Sequence, residues 1–241
     1  MGVYVSGARG ERRPGFFKVA WIVAAKDLRI EGRTFESFSS MALFALIVLV
    51  VFNFAFDLST VRQVGAARLV PGVLLITFTF SAIVGFARSF QVERQRDALT
   101  ALLLAPVDPG ALFAGKTLTS LCGLILLQSI LLPLSVVFFD YDLVAVAVPL
   151  LAVVALHTLG LSELGTLFGA ITARVGRGEA LLATLLFPAA VPLLLSAVQC
   201  TAAVLDGKPL SSVSQWMLVT LGFDVLYLLV ALLTFEYILE D

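Results

Sequence analysis

The chain has 241 residues, 60% hydrophobic and 14% charged, with a formal net charge of −1 and a mean hydropathy of +1.03. Soluble domains are about 45–50% apolar and about 25% charged, so an ordinary water-soluble enzyme is excluded, as is a disordered chain, which needs low hydrophobicity. No excess of positive charge points to nucleic acid, and apolar runs of ~20 residues leave so little length for a soluble domain that the chain is expected to be the membrane part of something larger.

The first 40 residues carry charge throughout and lack a short apolar core with a cleavage site, so no signal peptide is expected. Within them, residues 14–37 place Phe17, Trp21, Ala24, Leu28 and Phe35 at helical spacing. Lys18, Lys26, Arg29, Arg33 and Glu36 fall largely elsewhere on the wheel. Such an amphipathic helix with an aromatic edge is expected to lie in the membrane interface; the plainer alternative is a lead-in that only anchors the first span.

Six runs with little or no charge follow, at about 38–56, 69–87, 117–139, 143–173, 180–205 and 211–235. Each reaches the ~18 residues of a spanning helix, whereas barrel strands are ~10 residues long and alternate in polarity. The sequence therefore predicts an all-α polytopic protein, one transmembrane domain over 1–241. Thirteen Lys and Arg lie before the first span, between the second and third, and between the fourth and fifth, against three on the other side (Arg62, Arg68, Lys208). The positive-inside rule then predicts both termini in the cytoplasm.

Between the second and third spans, residues 91–104 read QVERQRDALTALLL. Val92, Leu99, Leu102 and Leu103 make a partial apolar face, and Glu93, Arg94, Arg96 and Asp97 charge its beginning. Acids near the start suit the positive end of the helix dipole, and Pro106 stops the helix. Such a helix either floats on lipid or docks in the groove of a cytosolic partner. Just beyond it, GALFAGKT at 110–117 matches the phosphate-binding pattern G-x-x-x-x-G-K-[ST]. That chemistry needs a strand, a loop and a helix. Here an amphipathic helix precedes and a spanning helix follows, so the pattern is rejected and Lys116 is expected to anchor the third span by snorkelling. One histidine and no GxSxG leave no catalytic constellation, and no metal cluster is present in the sequence. Cys122 and Cys200 lie within spans without CxxC spacing and read as packing residues.

Three ionisable residues fall at membrane depth: His157, Glu163 and Asp224. A mid-bilayer charge costs about 2.5–3.5 kcal/mol on insertion scales, so such residues face protein or a water cavity. His157 and Glu163 are six apart, about 240° around the helix, which argues against a relay within one helix. Glu163 lies in GLSELG, where small residues permit close helix approach; packing and pathway roles both remain open. Asp224 is expected to find a partner on another helix. Pro71 opens the second span, and Pro188 and Pro192 sit inside the fifth, which is expected to bend or break there.

The layout resembles type-2 ABC exporter permeases, and more closely the CcmB family, the permease of the cytochrome c maturation (haem exporter) system. The matching stretches are LVPG at 69–72, LLLAP at 102–106 followed by LFAGK at 112–116, GTLFG at 165–169 with Arg174 and Arg177, and LFP at 186–188 through PLLL at 192–195. The resemblance implies a subunit in the bacterial inner membrane, a homodimer with a cytosolic ABC ATPase docked on residues 91–104, the coupling helix. It further implies a haem-handling membrane partner and a periplasmic haem chaperone, with ATP and haem held by partners and no cofactor bound by this chain. The alternatives are a permease for a drug, lipid or polysaccharide, an ion-coupled secondary transporter, which should show paired midplane charges and inverted repeats, an intramembrane enzyme, and a scaffold.

Overall fold

A computed structural model describes residues 15–56, 58–95, 108–173 and 178–240. The described residues are helical apart from short connections: α1 (Phe16–Thr34), α2 (Glu36–Ala55), α3 (Leu58–Val64), α4 (Ala66–Gln95), α5 (Pro109–Phe139), α6 (Leu143–Ala173), α7 (Gly178–Leu205), a 3-10 turn (Leu210–Val213) and α8 (Ser214–Glu240). Six helices are long and apolar enough to cross a membrane: α2, α4, α5, α6, α7 and α8. They alternate in direction, so the start of α2 and of α5 and the ends of α4, α6 and α8 gather with α1 on one face. There a cluster of Val19, Val23, Phe90, Leu112, Phe113, Leu167 and Phe235 joins α1 to four spans.

The expected helix over 14–37 ends at Thr34. Phe35 takes the left-handed conformation (φ 49°), and its N–H bonds to the Glu31 carbonyl, which turns the chain sharply into α2. Helix α2 has no capping side chain of its own. The Glu31 carboxylate of α1 instead accepts the Phe38 N–H at 2.8 Å, satisfying one of the orphan donors of that terminus. The apolar stripe expected on α1 divides. Ala24 is buried, but Phe17, Trp21, Leu28 and Phe35 are exposed. The buried side is instead the small set Val19, Ala20, Val23 and Ala24. It packs on α5 at Gly115, where a Cβ would lie 2.6 Å from the Ala20 carbonyl oxygen. Two backbones touch there, which large residues would prevent.

Helix α2 buries only the line Ser37, Met41, Ala45, Leu49. Helix α4 is the hub of the bundle and packs most extensively on α7 and α2. A helix apolar on all sides belongs in the interior. It begins at Ala66, five residues before Pro71, so Pro71 lies within the helix rather than opening it. The carbonyl that Pro71 leaves without a donor belongs to Ala67, near the helix end where exposure is greater.

Helix α5 starts at Pro109, before the expected 117, because Asp108 caps it: its Oδ1 accepts from the N–H of Gly110 (2.8 Å) and Ala111 (3.2 Å). Asp108 at N-cap and Pro109 at N1 are the preferred residues for those positions. At the other face, the Asp142 carboxylate caps α6 through Val144 and Ala145, and the Asn53 amide donates to the Phe138 carbonyl at 3.0 Å, tying α2 to α5. Beyond α7, a turn at Gly207 (φ 74°) is braced by Asp206 and Lys208, 2.9 Å apart, and that hydrogen bond holds the Asp206 carboxyl below the usual carboxylate range.

The fifth span does not break. Helix α7 runs unbroken through Pro188 and Pro192. Pro192 leaves the Pro188 carbonyl without its i+4 donor, and Pro188 does the same to Thr184. Beside them the Tyr227 hydroxyl of α8 donates to the Ala189 carbonyl at 2.7 Å, tying α8 to this stretch of α7.

Candidate functional site

Two regions hold the residues singled out in the sequence. The first is the connection between α4 and α5. Helix α4 continues through Gln91 to Gln95, so Glu93 and Arg94 are in its last turns rather than in a separate helix starting at 91. Arg96, Asp97, Leu99, Leu102 and Leu103 lie outside the described residues. What is described is the frame. The connection runs from the end of the hub helix to the Asp108 cap of α5. Both flanking helices enter the α1-face cluster, through Phe90 on one side and Ala111 to Phe113 on the other.

This frame also disposes of the phosphate-binding pattern. Residues 110–117 are helical throughout, so no loop of free N–H groups exists there. Lys116 does not snorkel. It is buried, with Nζ 3.6 Å from an Asp27 carboxylate oxygen of α1 and 5.7 Å from the centre of the Phe90 ring. Asp27 in turn pairs with Lys26 at 2.8 Å. Sequence reasoning missed Asp27 because its partner is 89 positions away on another helix and the pair has no local signature.

The second region runs along α6 from the α1 face to mid-span. Gly165 and Gly169 of α6 receive the rings of Phe86 and Phe90 of α4, where a Cβ would overlap ring carbons at 2.2 and 2.1 Å. Glycines spaced four apart thus admit aromatic rings rather than a second backbone. Higher in the same helix, Gly160 faces the Asp224 carboxylate of α8, and a Cβ there would fall 2.0 Å from Oδ1. Asp224 therefore sits over a residue three before Glu163 and three after His157. All three are buried. The carboxyl of Asp224 thus lies at the height on α6 between the two residues that sequence separated by 240°.

The partners are sparse. His157 Nε2 is 3.4 Å from Thr79 Oγ1 of α4, and its ring lies 5.9 Å from that of Phe78. Both Asp224 oxygens, Glu163 Oε2 and His157 Nδ1 are buried without a hydrogen-bond partner. The partner of Asp224 on another helix is no cation: Gly160 supplies space, and the nearest charge acting on Glu163 is Asp224 itself. Ser196 of α7 and Thr220 of α8 share a short hydroxyl hydrogen bond in the same layer. Two carboxyls and an imidazole thus lie buried within two turns of α6, at a depth where ionised groups are costly. Cys200 is buried and Cys122 half-buried, and neither is in a disulfide.

Six spanning helices around a buried hub, a charged connection at one face and a polar layer at mid-depth define a multi-pass membrane protein of the permease class. The family described as CcmB protein matches residues 18–240, nearly the whole chain. The chain belongs to the CcmB family, the haem-exporter permeases of the cytochrome c maturation ABC system. Curated proteins include no match to it.

Proposed function

We infer that this chain is the membrane-spanning, non-catalytic subunit of a cytochrome c maturation ABC complex in the bacterial inner membrane. A cytosolic ATPase subunit docks on residues 91–104 and hydrolyses ATP. The resulting movement passes through the spans to the periplasmic face and drives delivery of haem, or release of the haem-loaded chaperone. Haem stays with the membrane partner and the chaperone, and two copies of this chain pair in the complex. Both termini and the α1 face are cytoplasmic, with Phe17 and Trp21 at the lipid interface.

The observation that carries this reading is the rigid frame of the connection. Its first part is a continuation of hub helix α4, and its far end enters α5 at the Asp108 cap and the Asp27–Lys116 pair. A push on residues 91–104 is delivered directly to the helix in contact with α2, α5, α6 and α7. Reversing Glu93 and Asp97 to Lys in the reconstituted complex tests it. ATPase assembly and coupled output fall together if the segment is the coupling element. Unchanged assembly with unchanged output refutes the assignment, and intact c-type cytochromes after deletion of the chain refute the cargo.

A further inference from the structure

The sharp turn at Phe35 spreads α1 from α2 and leaves a wedge between them. Its other walls are the latter part of α4 and the first half of α5. The space is a cavity of about 440 Å³, within the 300–1,000 Å³ range of small-molecule sites. It survives because Gly123 on α5 presents no side chain to it: a Cβ there would meet only the Met41 methyl, at 3.9 Å, an ordinary contact. Met41 itself is drawn aside onto Gly85 of α4, where a Cβ would fall 2.1 Å from its sulfur.

The cavity is amphiphilic along its depth. From Lys116 to Gly123 it descends seven residues of α5, about 10 Å at ~1.5 Å per residue. The deep end is apolar, lined by Met41, Phe86 and Leu124. The rim carries Lys26, Lys116, Asp27, Glu31 and Glu36. Lys26 and Lys116 flank Asp27, Glu36 pairs with Arg88 beside the cavity at 2.8 Å, and Glu31 accepts the Phe38 N–H through one oxygen. Leu28, Phe35 and Leu126, which also line the space, are exposed on the outer, membrane-facing side of the bundle, so the wedge opens towards the bilayer.

We propose that this wedge is a binding site for one zwitterionic phospholipid. An acyl chain fills the apolar depth, the phosphate meets Lys26, and the headgroup ammonium meets Glu31. The choice of a zwitterion follows from the rim. Its charges alternate and nearly cancel, so an anionic headgroup gains no net attraction while an ammonium–phosphate dipole finds a partner at each end. The bound lipid would set the angle between α1 and α2 beside the two helices that flank the coupling segment.

Native mass spectrometry of the purified full chain, supplied with phosphatidylethanolamine or phosphatidylglycerol, tests the site. One phosphatidylethanolamine per chain is expected to survive collisional stripping that removes other lipid. Gly123→Leu, which plugs the depth without a backbone clash, should reduce that adduct at least tenfold while helicity and melting stay at wild-type values. A second measurement needs no variant. Cys122 lines the cavity and is half-buried, so its maleimide alkylation in delipidated protein should slow several-fold when phosphatidylethanolamine is added back. Equal retention of phosphatidylglycerol, haem in place of lipid, retention by Gly123→Leu, or an unchanged Cys122 rate overturns the proposal.

Discussion

Lys116 and Asp27 are 4% and 13% exposed and lie 3.6 Å apart. At an effective dielectric near 20, their Coulomb attraction is about 5 kcal/mol before desolvation is subtracted. Removing one partner of a buried pair costs about 3–5 kcal/mol because it strands the other charge. The two partners are not equivalent. Asp27→Asn removes the countercharge but keeps an amide oxygen for the ammonium, and the contact with the face of Phe90 is the same before and after, so the cost falls at the low end of that range, about 3 kcal/mol. Lys116→Met leaves Asp27 with Lys26 at 2.8 Å and keeps the aliphatic stem in place, for about 1 kcal/mol or less. The double variant has no charge to strand and should resemble Lys116→Met alone, giving a coupling of about 3 kcal/mol. Denaturant unfolding in mixed micelles, followed by circular dichroism, measures each corner of the cycle. Additivity within about 0.5 kcal/mol would refute the claim that Asp27 compensates a buried Lys116.

Two further outcomes test the packing. Gly169→Ala puts a Cβ into the Phe90 ring and is expected to lower the melting temperature, and pairing it with Phe90→Leu should recover part of that loss; no recovery would place the strain elsewhere. Tyr227→Phe removes the hydroxyl that bonds to the Ala189 carbonyl, and about 1 kcal/mol of destabilisation is expected in the same unfolding assay; an unchanged midpoint would show that this bond adds nothing to the contact between α7 and α8.

The spans and the rejection of the phosphate-binding pattern were legible in the residues, since each depends on a short stretch of chain; the cap at Asp108 and Pro109 is just as local, yet the third span was expected only from 117. Insertion is a sum of local transfer energies, and a helix start is decided by the few residues around it. The mid-depth residues His157, Glu163 and Asp224 were also found, because an ionisable group among apolar neighbours stands out by type. Their meeting over Gly160 was not, because Asp224 is 64 positions from that glycine and nothing local announces the contact.

Other readings failed for a related reason. Lys116 looked like an interfacial anchor until α1 folded back and supplied Asp27. The stripe Phe17, Trp21, Ala24, Leu28 and Phe35 was expected to lie in the membrane interface, and its four large members are exposed; what the residues did not show is that the neighbouring small side chains dock α1 on the bundle and take Ala24 with them. Pro71 looked like the start of a span and the prolines of α7 like a bend or break, whereas α4 begins five residues earlier and α7 runs on through both.

By itself, the sequence determined how many helices cross and where charge is excluded. The tertiary structure alone decided which helix is central, which glycines receive Phe86 and Phe90, and which charges are buried together. In lipid, a residue facing a neighbouring helix and one facing an acyl chain are equally apolar, so hydropathy carries no trace of the choice. Shape carries it instead, through missing side chains at Gly115, Gly160, Gly165 and Gly169, each read only when the opposing helix is in place.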